Sequence, residues 1–415
     1  MSATIHIDDL AQPQYSEPQL AALEFGKTLD VELTPASIMA EAEQQAGCDD
    51  WGADDFMPRL TLLCDEWSSD TGLTGLGRLS LRNKLLQHAT SRLLIQQQWT
   101  RHPEILEVPI ERPIIVAGLP RSGTTHLLNL MASDSRLRAL PLWESYEPVP
   151  RPDESSAEGV DPRYQRCADA WNATQMMAPH LAAMHPMTPD HIHEELELMG
   201  PNFGSYNYEW LCFSPRWRDA YFAEDQTHHY EYMKNVLRLL SWQQGGQRRW
   251  VLKCPQHLEQ LPVLKSVFPD ATVAITHRDP VSVIQSAITM LAYGQRMSRD
   301  RVMTRELLEY WTDRVEHLLR ACVRDRDTWH AQQSIDVRFP ELIQDDLGWV
   351  ARIYELADLP FTEDARAELT AFTDAHADDY GRVVYDLEGQ FGVSPEQLRE
   401  RFDFYFEAYP AIAPR

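Results

Sequence analysis

Residues Pro113 to Met131 read PIIVAGLPRSGTTHLLNLM, and no other stretch limits the fold of this chain so strongly. An apolar, β-rich run passes through a turn bounded by Gly118 and Gly123 and straight into a helix-forming run. Such a turn aims several backbone N–H groups at one spot, and the helix dipole adds positive potential there. The two glycines have the spacing of G-x-x-x-x-G-K-[ST], yet Thr124 stands where the lysine belongs. Without that lysine, cleavage of ATP or GTP by the usual route is disfavoured, and a 5′-phosphate held without metal fits better. Arg121, Ser122, Gly123, Thr124 and Thr125 would surround the bound oxyanion. A plain β-turn-α crossover is the alternative, but GLPRSGTT carries more donors than a turn needs.

The rest of the chain repeats the alternation. Strand-like runs at 248–255, 271–280 and 334–339 are each followed by helical patterns, which predicts an α/β fold: a P-loop-type parallel sheet flanked by helices. Before it, 34–99 is helical in pattern, with Thr34 as a cap, Pro35 at the first helical position and Gly47 as a stop. We therefore expect a helical N-terminal extension over 1–108 and the α/β domain over 109–415. Residues 1 to about 30 are expected to wrap loosely. The segment 141–165 reads as loop, and helices are expected at 162–178, 226–244 and, in one piece, 340–359.

A second candidate site lies in AITHRDPVSVIQSAI. A strand ends at His277-Arg278, Asp279 caps the next helix and Pro280 opens it. Arg278 then stands at the carboxyl edge of the sheet, where ligands bind. Ser282 and Ser286 share a helix face, so Arg278 and Ser286 together would grip a second phosphate.

Charge narrows the partners. Acidic residues outnumber basic ones 63 to 38, a net charge of -25. Such a chain repels nucleic acid and other polyanions, so the expected acceptor is a small neutral or apolar molecule. No two of the six cysteines have C-x-x-C spacing, which argues against a zinc ribbon or a redox pair. His191, His193 and Glu195 are spaced i, i+2, i+4, which suits neither one helix face nor a zinc finger, so no metal is expected. No secretory leader or membrane helix is legible; a cytoplasmic protein is the expectation, with homo-oligomerisation left open.

GLPRSGTT followed by RDPVSVIQS resembles the two cofactor loops of sulfotransferases that use 3′-phosphoadenylyl sulfate (PAPS), in their bacterial branch. The resemblance covers roughly 110–405 and is specific at the two loops. It implies that the first loop cradles the 5′-phosphosulfate and that Arg278 and Ser286, eight residues apart, hold the 3′-phosphate. It implies too that Lys253 contacts the reacting sulfate, and that Arg121 and Lys253 stabilise the leaving oxygen as PAP (3′,5′-ADP) departs. GRVVYDLEGQFGVSPEQLRERF is similar to the closing motif of the bacterial members and departs from the K-G-x-x-G-D-W-K of cytosolic ones; Arg382 there is counted with the cofactor residues.

An acceptor hydroxyl needs a base. The resemblance points first to Glu144, matching a loop carboxylate, then to His257, near but two residues off the catalytic histidine of cytosolic members. Glu194 and Glu195 are further candidates. Tyr385 or Trp143 would stack on the adenine. The aromatic run FGSYNYEWLCFSPRW reads as core and acceptor-pocket wall. Two rival readings stand: a P-loop kinase-like phosphotransferase, with Asp279 as its magnesium ligand, and an inactive nucleotide-binding scaffold.

Overall fold

The run Ile114–Gly118 has no polar side chain and is wholly buried, as a strand covered on both faces must be. It is the middle of a five-stranded sheet. The computed structural model describes residues 4–152, 154, 159–246, 248–376 and 382–412. In chain order its strands are β1 (Thr4–His6), β2 (Ile114–Gly118), β3 (Leu137–Arg138), β4 (Arg249–Lys253), β5 (Thr272–His277), β6 (Ser334–Arg338) and β7 (Arg382–Val384). The main sheet is parallel throughout, in the order β3-β4-β2-β5-β6. From β2 the chain goes to β3 and β4 on one side, then crosses to β5 and β6 on the other. The direction reverses around β2, and ligands of open parallel sheets bind at the carboxyl ends of strands at such a point. The carboxyl end of β2 is the glycine-bounded loop.

Alternate residues of β2 face opposite layers. Ile115 and Ala117 join a core that also contains Leu60 and Leu93 from the N-terminal helices. Ile114 and Val116 face Leu127 and Val350, from the helices Thr124–Ala132 and Asp346–Leu356. Of the N-terminal helices, α1 (Glu17–Gly26), α2 (Pro35–Ala46), α3 (Met57–Ser69) and α4 (Gly75–Arg101), the last three share a core with one face of the sheet. In α2 the Thr34 hydroxyl accepts from Ser37 N at 3.2 Å, and Gly47 ends the helix at φ 64°.

Three expectations are corrected. Residues 4 to 30 do not wrap loosely, and residues 1–3 lie outside the described residues. β1 pairs with β7, α1 forms, and Asp9 makes two contacts to Arg296 at 3.0 and 2.8 Å. Those partners are hundreds of residues away, so local pattern holds no trace of them. The segment 141–165 contains a short helix, Leu142–Tyr146. The helix expected over 340–359 is two, Phe339–Leu342 and Asp346–Leu356, because the Asp345 carboxylate accepts from Gly348 N at 3.0 Å and starts a new one. Residues 153 and 155–158 of the proline-rich segment, and Gly381 of the closing motif, lie outside the described residues. All six cysteines are free thiols. Among the described residues no helix is long and apolar enough to cross a membrane.

Candidate active site

A Cβ at Gly118 would stand 2.0 Å from Thr276 Oγ1, so only glycine lets the loop leave β2 this close to β5. Arg121 (φ 64°) and Gly123 (φ 85°) both take the left-handed conformation. For a non-glycine residue that costs on the order of 1–3 kcal/mol, and surrounding contacts must hold it. Ser122 supplies some of them: its buried hydroxyl donates to the Leu119 carbonyl at 2.5 Å and lies 2.7 Å from Thr276 Oγ1. Thr124, buried, opens the helix, and Thr125 follows it.

The loop then reaches the second predicted site. Arg121 Nε donates to Ser286 Oγ at 2.9 Å, and its guanidinium also donates to the Met184 carbonyl. Arg278 donates to the Arg121 carbonyl and stacks 4.1 Å from the Phe339 ring. Ser286 Oγ in turn donates to the Tyr385 hydroxyl at 2.9 Å. Neither guanidinium has a carboxylate partner among the described residues. Burial first, and the Arg121 charge second, pull Arg278 below the usual range of a guanidinium. Two like charges held together with no carboxylate paired to them among the described residues make a site for an anion. Asp279, the rival magnesium ligand, accepts from Val281 N at 3.0 Å and pairs with Arg399 at 3.2 Å.

Lys253 ends β4, and its ammonium arrives from the other side. It lies 3.2 Å from Thr125 Oγ1 and pairs with the Glu194 carboxylate. Glu195 does something different: it accepts the Lys253 backbone N–H at 2.9 Å and reaches His257 Nε2 at 2.8 Å. The other ring nitrogen, Nδ1, lies 2.9 Å from the Tyr230 hydroxyl. His257 is fully buried and engaged at both nitrogens. Burial pushes the Glu194 carboxyl up, against the pull of Lys253.

Glu144 lies on the helix Leu142–Tyr146, buried, with Arg138 Nη2 2.9 Å away. Burial raises its carboxyl while Arg138 opposes the rise. Arg138 itself lies 4.4 Å from the Trp250 ring, and Trp143 carries Arg163 at 4.7 Å. Arg382 is exposed in β7. The structure thus brings together Arg121, Ser122, Gly123, Thr124, Thr125, Lys253, Arg278, Ser286 and Tyr385, and gives Glu144 its own partner beside β3.

Sequence reading passed over a group of three histidines. The rings of His185, His191 and His193 lie 5.6 to 6.2 Å apart. Burial lowers all three, His185 to about 3 and His191 to about 4, with the Lys253 charge adding to it in each case and Arg121 at His185. The rings are therefore neutral at pH 7. The cue was HPMTPDHIHEE, whose glutamates read as base candidates and whose His191 and His193 were weighed only for zinc. A different group, Glu224, His228 and His229, has ligand atoms within 4.8 Å of one another. Glu224 already receives Arg59 at 2.6 Å, and His229 faces the Asn202 amide at 2.9 Å.

Residues 113–363 match the model of the sulfotransferase family. In three dimensions the chain is similar to sulfotransferase STF1 from Mycobacterium tuberculosis H37Rv. The identity is 29% and the TM-score 0.78, over 90% of this chain and 99% of that one. It is likewise similar to sulfotransferase STF9 from Mycobacterium avium, at 25% identity and a TM-score of 0.80, over 91% and 97% of the two chains. No curated protein matches by sequence.

Proposed function

The chain belongs to the sulfotransferase family, and from that premise we propose that it transfers a sulfuryl group from PAPS to the hydroxyl of a small neutral or apolar acceptor, releasing PAP. The observation that carries the reading is the pair Arg121 and Arg278, two guanidiniums without a carboxylate among the described residues, with Arg278 donating to the Arg121 carbonyl and Arg121 to Ser286, at a phosphate loop that lacks its lysine. A nucleotide with phosphates at both ends of its ribose matches two cationic groups better than a 5′-phosphate alone. The loop N–H groups, Arg121, Thr124, Thr125 and Lys253 would hold the 5′ end, and Arg278 and Ser286 the 3′-phosphate.

PAPS supplies sulfur already activated on a phosphate leaving group. Like phosphoryl transfer, the displacement leaves the protein mainly to position and to stabilise charge. Arg121 and Lys253 supply positive charge where the leaving oxygen becomes anionic. The net charge of -25 and the three neutral imidazoles beside Lys253 favour an uncharged acceptor. His257 has both ring nitrogens engaged in its present contacts, and Glu144 is paired with Arg138.

Calorimetric titration with PAP, 5′-AMP and ATP tests the reading. PAP should bind much more tightly than 5′-AMP, because the 3′-phosphate adds charge-assisted hydrogen bonds. Equal affinity for the two counts against it. Transfer activity should survive EDTA. Its loss on chelation, restored by magnesium, supports the phosphotransferase reading instead.

A further inference from the structure

The Lys253 ammonium is 1% exposed, and a charge so buried needs a counter-ion. Glu194 is that counter-ion, and Thr125 Oγ1, on the helix behind the phosphate loop, is the other neighbour at 3.2 Å. The ammonium therefore stands between a carboxylate and the loop. An anion held on the loop beside Thr125 competes with Glu194 for the same charge. We propose that Glu194 is a stand-in anion that neutralises Lys253 until the phosphosulfate takes its place, and that the carboxylate so released is the base for the acceptor hydroxyl. The proposal rests on the sulfotransfer reading above and adds an order of events to it.

The two neighbouring glutamates are tethered differently, which is what an exchange requires. Glu195 binds the Lys253 backbone N–H and His257, and His257 is held by Tyr230. That network fixes the chain at the end of β4. Glu194 holds only a side-chain ammonium. Losing it leaves the backbone where Glu195 keeps it, so the carboxylate can turn without unfolding the site.

The surroundings favour a released carboxylate as a base. His185, His191 and His193 stand near Lys253 as neutral rings, so they offer Glu194 no positive charge in exchange. Burial already lifts the Glu194 carboxyl while Lys253 holds it down. Removing that cation and placing an anion nearby both lift it further, towards the range where a carboxylate is an effective general base at neutral pH. As the acceptor oxygen forms its bond to sulfur, Glu194 takes the hydroxyl proton. The bond from sulfur to the 5′-phosphate oxygen breaks, and that oxygen keeps the electron pair beside Lys253 and Arg121. Before the nucleotide binds, the carboxylate is occupied and an acceptor alone meets no base.

Calorimetric titration of PAP into the full chain and its Glu194→Gln, Lys253→Met and doubly substituted forms tests the exchange. Glu194→Gln should bind PAP about five- to 100-fold more tightly, the usual span of coupling between two competing groups. Lys253→Met should bind it more weakly. In the Lys253→Met background, Glu194→Gln should change little, since there is no shared charge left to contest. With radiolabelled PAPS and 2-naphthol as the hydroxyl probe, Glu194→Gln should transfer about 10²–10⁴ times more slowly despite binding better. Unchanged or weaker PAP binding by Glu194→Gln overturns the exchange, and undiminished transfer overturns the base. If thermal melts show that Glu194→Gln does not fold, Glu194→Asp carries the test. Its carboxylate is drawn back by one methylene and should shift both readings in the same sense; no tightening there overturns the proposal. A wild-type chain that fails to prefer PAP over 5′-AMP is a different result: it removes the sulfotransfer reading itself.

Discussion

Arg278 leans on the Arg121 carbonyl and on the Phe339 ring, so replacing it removes a charge without touching the apolar core. Arg278→Ala should weaken PAP binding by about 2–4 kcal/mol and leave 5′-AMP almost unaffected, read by calorimetry. An equal loss for both nucleotides would place Arg278 at the 5′ end instead. Glu144 asks a different question of the same kind of experiment. Its carboxylate is the partner of buried Arg138, and breaking a buried pair from one side costs about 3–5 kcal/mol. Glu144→Gln is therefore expected to lower the melting temperature clearly while the folded fraction still binds PAP and transfers. A normal melting temperature with transfer lost would give the base role back to Glu144. His257→Asn should likewise act on stability first, since it breaks contacts to Glu195 and Tyr230 together.

The phosphate loop works as an element because β2 and β5 run in register, with Gly118 opposite Thr276. Gly118→Ala puts a methyl group 2.0 Å from Thr276 Oγ1 and 3.0 Å from Thr124 Cγ2. Overpacking of this kind costs about 1–3 kcal/mol. We expect a modest fall in melting temperature and a much larger loss of PAP affinity, because the strand end that moves is the one that aims the loop. Wild-type affinity in this variant would mean that the loop does not hold the nucleotide. Elements with strong local pattern were legible in advance: β2, β4, β5 and β6, and α2 with its Thr34 cap and Gly47 stop. Those that were missed have little pattern of their own. β3 is two residues long and exists only through its pairing with β4, and the break at Asp345 comes from one side-chain hydrogen bond.

Buried imidazoles give the whole molecule a pH dependence. In the unfolded chain they take up protons below about pH 6.5. In the folded one burial holds His185 at about 3, and His191 and His229 at about 4. Between about pH 4 and 6.5 the unfolded state binds more protons, so stability should rise with pH across that window. Glu197, lowered to about 2 despite burial by Lys84, His88 and His193, extends the same trend below the usual carboxylate range. Glu144 and Glu194, raised by burial, act in the opposite sense above that range. Urea unfolding at pH 5 and pH 7 checks the balance: the midpoint should be lower at pH 5, and substituting His185, His191 and His193 by glutamine should flatten the difference. A midpoint independent of pH would mean that the rings are charged or exposed. Fold class, the strand-turn-helix at Gly118–Gly123 and the Asp279 cap after β5 follow from the sequence alone, because strand alternation, glycine turns and helix caps act between near neighbours. The tertiary structure alone decided which carboxylate meets Lys253, since Glu144, Glu194 and Glu195 look alike in a sequence. Long-range packing sends Glu195 to His257 and Glu194 to Lys253, while Glu144 meets Arg138 only six residues before it. A charge buried by that packing must find its counter-ion among the groups the fold brings to it, wherever they lie in the chain.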